Sequence, residues 1–259
     1  MKLKYLLGGA IMLPLLPLMY LHGERIIKSV PKLPDAAGPE GVVVGDSARP
    51  MRLLVIGEST MSGVGVDTHE EGFAGALART LGAGWGTEVQ WKVYARSGYT
   101  LKRLRHELLP IITENQADLI VVGMGGNEAF KLNTPAGFRR DMQAVIDELR
   151  VKFGPDVPIA FPNMPPIKEF PAFTPLMKFT LGNMVEVFGQ ELEALLEGQP
   201  NTHYNPEVIR LEYWTKELNM DNDPSAFFSD GVHPSGLTYR TWAKDFGGFL
   251  QEELGQAWW

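Results

Sequence analysis

The chain has 259 residues, 44% hydrophobic and 21% charged, with a formal net charge of −7. That composition supports a sizeable core and excludes wholesale disorder, and the acidic balance excludes a general nucleic-acid binder, which needs a basic surface to neutralise phosphates. With no cysteine present, disulfides, thiolate nucleophiles, zinc–thiolate sites and a lipidated N-terminal cysteine are all excluded.

Lys2 and Lys4 precede an uncharged, mostly apolar run over residues 5–21, after which come His22, Gly23, Glu24 and Arg25. As a helix the run reaches roughly 25 Å, near the lower limit for a hydrocarbon core of about 30 Å, and Pro14 and Pro17 would kink it. Residues 1–22 are therefore expected to form an uncleaved membrane anchor. A secretory signal peptide is the alternative, although no A-x-A-like site follows the run directly. Basic residues flank the run almost evenly, Lys2 and Lys4 before it and Arg25, Lys28 and Lys32 after. The orientation expected here puts the folded domain on the extracytoplasmic side, periplasmic if bacterial and secreted if the segment is cleaved.

Residues 23–50 hold Pro31, Pro34, Gly38, Pro39, Gly41 and Pro50 and read as a linker with little regular structure. The folded domain is expected over 51–259. Its first strand is a short apolar run at 52–56, ending in Gly57-Glu58-Ser59, and a helical pattern covers 70–81. A second strand at 89–95, a helix at 101–112 and a third strand at 118–123 follow. Thr134 and Pro135 open a helix to about residue 153 as its N-cap and first helical residue. Residues 157–161 read as a fourth strand, 179–196 as a helix, and 207–211 as a fifth strand. The last helix starts near Ser235 and carries Tyr239, Trp242, Phe246 and Leu250 on one face; Trp258 and Trp259 read as a frayed tail.

This alternation predicts an α/β fold, a three-layer α/β/α sandwich around a mainly parallel, flavodoxin-like five-stranded sheet with right-handed crossovers. In such a sheet the binding crevice forms at the carboxyl ends of the strands. Three loops leave the first three strands there: Gly57-Glu58-Ser59-Thr60, Ser97-Gly98-Tyr99 and Gly125-Gly126-Asn127-Glu128. Ser59 supplies a hydroxyl, Gly98 a backbone N–H with no side chain in the way, and Asn127 a neutral amide donor. These are the parts of an oxyanion hole, whose donors must sit about 2.7 to 3.1 Å from the charge developing on an attacked carbonyl.

A serine hydroxyl is a weak nucleophile until a base accepts its proton. His233 has the best context for that base, lying in Ser229-Asp230-Gly231-Val232-His233-Pro234 just before the final helix. Asp230 on the same turn is placed to orient the imidazole and stabilise the imidazolium. His69, His106 and His203 lack such context and read as packing or surface residues. No His/Asp/Glu cluster has convincing metal spacing, and the Gly-x-Ser-x-Gly elbow is absent because Met61 holds the last glycine position.

The blocks around Ser59, Gly98, Asn127 and Asp230-x-x-His233, in this order, resemble those of the SGNH hydrolases, also called GDSL-type lipases and esterases, from Arg52 to the C-terminus. The resemblance implies a Ser59-His233-Asp230 triad, an oxyanion hole of Ser59, Gly98 and Asn127, and an acyl-enzyme route that needs no cofactor. Two positions depart from the family pattern, since Glu58 and Glu128 stand where aspartates are usual. Family members cleave esters or thioesters of lipids, aryl and short acyl compounds or acetylated sugars, and some transfer acyl groups. The expected function is therefore hydrolysis of acyl esters, with a small-molecule or lipid ester as partner. An acyltransferase, a lysophospholipase or thioesterase on the same site, and a catalytically silent membrane-tethered binding module are the alternatives. Met164, Ile167, Phe170 and Phe173, in the proline-rich loop after the fourth strand, are candidates for an apolar acyl pocket or for ordinary loop packing.

Overall fold

A computed structural model of the chain describes residues 17, 21–23, 25, 30–46, 49–220, 224–255 and 258–259. The expected N-terminal anchor therefore lies outside the described residues except at Pro17, Leu21 and His22. Among the described residues no helix is long and apolar enough to cross a membrane.

The elements in chain order are β1 (Glu40–Val43), β2 (Met51–Gly57), α1 (Phe73–Trp85), β3 (Val89–Ala95), α2 (Leu101–Arg103), β4 (Leu119–Gly123), α3 (Gly126–Phe130), α4 (Pro135–Phe153), β5 (Ile159–Phe161), α5 (Pro175–Leu196), β6 (Thr202–Tyr204), α6 (Leu211–Glu217) and α7 (Gly236–Leu254). One sheet runs β1-β3-β2-β4-β5-β6. Strands β2 to β6 are parallel and β1 is antiparallel to β3. The parallel part has the flavodoxin-like order, and the expected three-layer α/β/α architecture is present.

The central strands β2 and β4 are almost continuously buried, as strands covered by helices on both faces must be. Helix α1 packs on α7, where Phe73 meets Trp242 and Phe246 at ring-centroid distances of 4.7 and 6.0 Å. Helix α4 packs on α5, where Phe138 stacks on Phe188 at 4.7 Å. Among the described residues four helices carry side-chain N-caps: Thr100 for α2, Thr134 for α4, Thr174 for α5 and Ser235 for α7. Each hydroxyl satisfies one of the backbone N–H groups that a first turn leaves unpaired.

Several boundaries differ from the sequence reading. Residues 40–43, within the stretch expected to lack regular structure, pair as β1 with β3, Glu40 opposite Lys92 and Val43 opposite Val89. An exposed edge strand alternates weakly and its neighbouring prolines mask it, yet it covers an otherwise open sheet edge. The fifth parallel strand is Thr202–Tyr204, not 207–211. The apolar pattern at 207–211 arises because Ile209 fills the core from a loop and Leu211 does so as the first residue of α6. The helix expected at 101–112 is one α-turn followed by a π-turn at Leu104–Leu108 and a 3₁₀ turn at Leu109–Ile111. Pro110 lacks the N–H that a continuous helix needs there. Helix α5 starts earlier than expected because Pro175 is acceptable in the first turn. The C-terminal tryptophans are not frayed: Trp258 packs on Trp85 at 5.1 Å, and Trp259 Nε1 donates to Thr87 Oγ1 at 2.9 Å.

Candidate active site

Register brings three of the singled-out residues to one edge. Gly57 at the end of β2 lies opposite Ala95 of β3 and Gly123 of β4. Two backbone bonds carry the alignment just past the strands, Arg96 N–H to Gly57 O and Glu58 N–H to Gly123 O, both 3.1 Å. Strand β2 is also where the order of crossovers reverses, the switch point beside which open α/β sheets form their crevice. Ser59, Gly98 and Asn127 follow these three adjacent strand ends.

Ser59 opens a tight turn in which its carbonyl accepts the Val64 N–H at 3.1 Å and lies 3.0 Å from the Ser62 hydroxyl. The turn needs glycine at 57, because a Cβ there would lie 2.3 Å from the Gly123 carbonyl oxygen and 2.5 Å from Met61 Cγ. Gly98 is exposed with φ +80° and open space where a Cβ would point. Its requirement for glycine is thus conformational and not steric. Asn127 is half-buried at the start of α3, and its Nδ2 donates to the Tyr99 carbonyl at 3.1 Å, tying it to the Gly98 loop.

The last block forms its own closed turn. Asp230, whose side chain is fully buried, accepts the Val232 and His233 N–H groups on Oδ1 at 2.9 and 2.7 Å, and Oδ2 lies 2.7 Å from His233 Nδ1. Burial pushes the Asp230 carboxyl up, but the side-chain and backbone hydrogen bonds of His233 outweigh it and hold the group below the usual carboxylate range. The ionised acid therefore faces Nδ1, and Nε2 is left as the nitrogen that can take a proton. This turn lies against the continuation of the Ser59 turn. Ser229 Oγ donates to Gly65 O at 2.7 Å, Tyr239 OH from α7 donates to Val64 O at 2.8 Å, and a Cβ on Gly65 would lie 2.2 Å from the Pro234 carbonyl.

The four pocket candidates have different positions. Met164 is half-buried beside the Asn127 loop, its Sδ 2.8 Å from where a Gly125 Cβ would sit. Ile167, Phe170 and Phe173 are buried. Phe170 meets Phe173 at 5.3 Å and Phe228 at 5.4 Å, so this cluster backs the Asp230 turn, which also accepts the Ala172 N–H on Gly231 O at 3.1 Å. Phe170 further lines a small apolar pocket with Thr60, Val232 and Trp242.

Three carboxylates in the site's frame were not singled out for such roles from the sequence. Glu58 is buried and accepts the Gly126 N–H at 2.7 Å and the Asn127 N–H at 2.9 Å. Glu128, also buried, accepts the Leu101 N–H at 2.5 Å and Asn133 Nδ2 at 2.7 Å. Asp35, from the stretch read as linker, lies 2.8 Å from the Ser62 hydroxyl and accepts the Ser97 N–H at 3.3 Å. The one sequence signal for the glutamates was their departure from the family's aspartates. His69 is buried against the continuation of the Ser59 turn, its Nδ1 3.4 Å from where a Gly63 Cβ would sit, and burial holds its imidazole below the ordinary value against the charge of Asp35. Among the described residues no group of three or more His, Asp or Glu is arranged to hold a metal ion.

Comparison with known proteins agrees with this fold. Among solved structures the chain is similar to a putative GDSL-like lipase from Parabacteroides merdae ATCC 43184, at 18% identity and TM-score 0.59 over 80% of this chain and 96% of that one. It is similar to TesA at 20% identity and TM-score 0.55 over 78% and 99%. A third likeness is to the lipase/acylhydrolase from Enterococcus faecalis, at 20% identity and TM-score 0.51 over 79% and 95%. At these identities the likeness speaks for the fold. A search of curated proteins finds no significant match. The family model of the GDSL-like lipase/acylhydrolase family matches residues 55–241, well over half of the sequence. The chain therefore belongs to the GDSL-like lipase/acylhydrolase family and is a hydrolase of the esterase and lipase type.

Proposed function

We propose that the protein is a serine esterase that cleaves acyl esters through Ser59, His233 and Asp230. The observation that carries this reading is the Asp230 turn, in which a buried carboxylate is fixed by two backbone N–H groups and faces His233 Nδ1 at 2.7 Å. In the reaction, His233 Nε2 takes the Ser59 proton as Oγ attacks the ester carbonyl. The resulting oxyanion is stabilised by the N–H groups of Ser59 and Gly98 and by the Asn127 amide. Collapse expels the alcohol, protonated by His233, and leaves an acyl-enzyme. Water then repeats the sequence and releases the acid.

The apolar run at 5–21 supports tethering to a membrane, and a lipid or small-molecule ester as substrate. The residue directly after that run, His22, lies with Nδ1 3.1 Å from the Thr174 hydroxyl that caps α5. Thr174 is close in sequence to Ala172, which packs on the Asp230 turn.

The test is turnover of p-nitrophenyl acyl esters by the full chain in detergent, beside Ser59→Ala, with fluorophosphonate labelling of Ser59 as a second readout. Ser59→Ala is expected to lower kcat at least about a thousandfold and to abolish labelling. Undiminished hydrolysis by that variant would falsify the assignment.

A further inference from the structure

Beside the proposed triad and oxyanion donors lie two buried carboxylates that neither uses, Glu58 and Glu128. We propose that Glu58 is a positioning residue, whose carboxylate sets the Asn127 amide against the oxyanion by holding the first turn of α3. This rests on the esterase reading above.

Glu58 precedes Ser59 directly, so one short segment carries both the nucleophile and the anchor of an oxyanion donor. Its carboxylate reaches from the end of β2 to the end of β4 and grips two consecutive N–H groups, Gly126 on Oε1 and Asn127 on Oε2. Glycine at 126 leaves room for the approach, since a Cβ there would lie 3.3 Å from Oε1, closer than ordinary van der Waals contact. Gly125 before it has φ +143°, a conformation that only glycine adopts readily. The first turn of α3 is thus fitted to the Glu58 head group.

From the backbone held in this way, the Asn127 side chain is fixed at a second point, where Nδ2 donates to Tyr99 O. An amide nitrogen carries two hydrogens, so the other N–H remains for the oxyanion. Glu128 ties the same turn to the loop of Gly98 through the Leu101 N–H. The three donor loops are therefore one cross-linked unit, and Glu58 is its link to the nucleophile. Burial pushes the Glu58 carboxyl up to about 7 against the bonds from Asn127 and Gly126, and the nearby Glu128 adds to the rise. The group is costly to keep charged at this place, as expected of one retained for geometry.

A glutamine at 58 offers one acceptor oxygen and sets an NH₂ donor against the second backbone N–H, while an aspartate keeps the charge but withdraws both oxygens by a methylene. The experiment is a double-mutant cycle on the full chain with p-nitrophenyl acetate: wild type, Glu58→Gln, Asn127→Ala and both together. Removal of an oxyanion donor lowers kcat by about 10²–10³-fold. Glu58→Gln is expected to lose kcat on the order of 10²-fold with KM within about threefold, and the double variant to be no slower than Asn127→Ala alone. Glu58→Asp should fall between wild type and Glu58→Gln. Losses that multiply in the double variant, or an unchanged kcat in Glu58→Gln, overturn the proposal.

Hydrogen exchange gives a readout independent of turnover. The peptide over 123–131 should exchange faster in Glu58→Gln, and unchanged exchange also overturns the proposal. If Glu58→Gln does not fold, Glu58→Asp carries the same cycle and the same exchange measurement. Retained hydrolysis by Ser59→Ala would remove the esterase reading, while the exchange result still decides whether Glu58 holds α3.

Discussion

Replacing Asp230 with asparagine separates what the carboxylate does for the turn from what it does for the base. The carboxylate makes three short contacts: Oδ1 accepts two backbone N–H groups at 2.9 and 2.7 Å, and Oδ2 faces His233 Nδ1 at 2.7 Å. In Asp230→Asn the amide oxygen can keep both backbone bonds, so the turn and the fold should persist. The NH₂ group then faces Nδ1. Two donors cannot share that contact, so the imidazole proton moves to Nε2, the nitrogen that accepts the Ser59 proton in the proposed mechanism. The base is lost and the developing imidazolium loses a buried counter-charge. In a triad of this geometry the loss is about 10⁴-fold in kcat, or about 5.5 kcal/mol of transition-state stabilisation. Asp230→Ala instead removes all three acceptor contacts, worth about 1 kcal/mol each, and should lower stability by about 3 kcal/mol as well as activity. The assay is kcat and KM on p-nitrophenyl acetate together with urea unfolding of both variants. A kcat for Asp230→Asn within tenfold of wild type would refute control of the tautomer, and an equal loss of stability in both variants would refute the preserved turn.

Two further outcomes follow, one from the frame of the site and one from the far edge of the sheet. Gly57→Ala would place a Cβ 2.3 Å from a backbone carbonyl oxygen, and overpacking of this kind costs about 1–3 kcal/mol or more; urea midpoints should fall accordingly, and an unchanged midpoint would show that the β2 and β4 ends can part. At the opposite edge, Asp118 receives the Arg52 backbone N–H and Nε, each at 2.8 Å, with Arg49 Nη2 also at 2.8 Å. Burial pushes the Asp118 carboxyl up, but the Arg52 hydrogen bonds and charge outweigh it and hold it below its ordinary value. A depressed folded value means this stabilisation is full above the unfolded value of about 3.9 and is lost as pH falls through the lower folded one. Asp118→Asn should therefore be less stable than wild type at pH 7 and closer to it in strong acid; an equal gap at both pH values would contradict the pairing.

Local pattern determined a good deal of this molecule. The apolar runs ending at Gly57, Ala95 and Gly123 each read as a strand, and strands alternating with helices allow few arrangements besides a parallel sheet with its crevice at the carboxyl edge. From that edge Ser59, Gly98 and Asn127 could be grouped before any contact was known, and the spacing of Asp230 and His233 placed both on one turn. Packing decided the rest. β1 exists because β3 has an open edge, which no pattern within residues 40–43 reveals. Residues 207–211 look like a strand only because Ile209 and Leu211 fill the core from a loop and a helix start. Glu58 shows the division most plainly. Its sequence marks it as one methylene longer than the family's aspartate, whereas its bonds to Gly126 and Asn127 join residues 68 and 69 positions apart, and a contact of that range exists only once the two strands lie side by side.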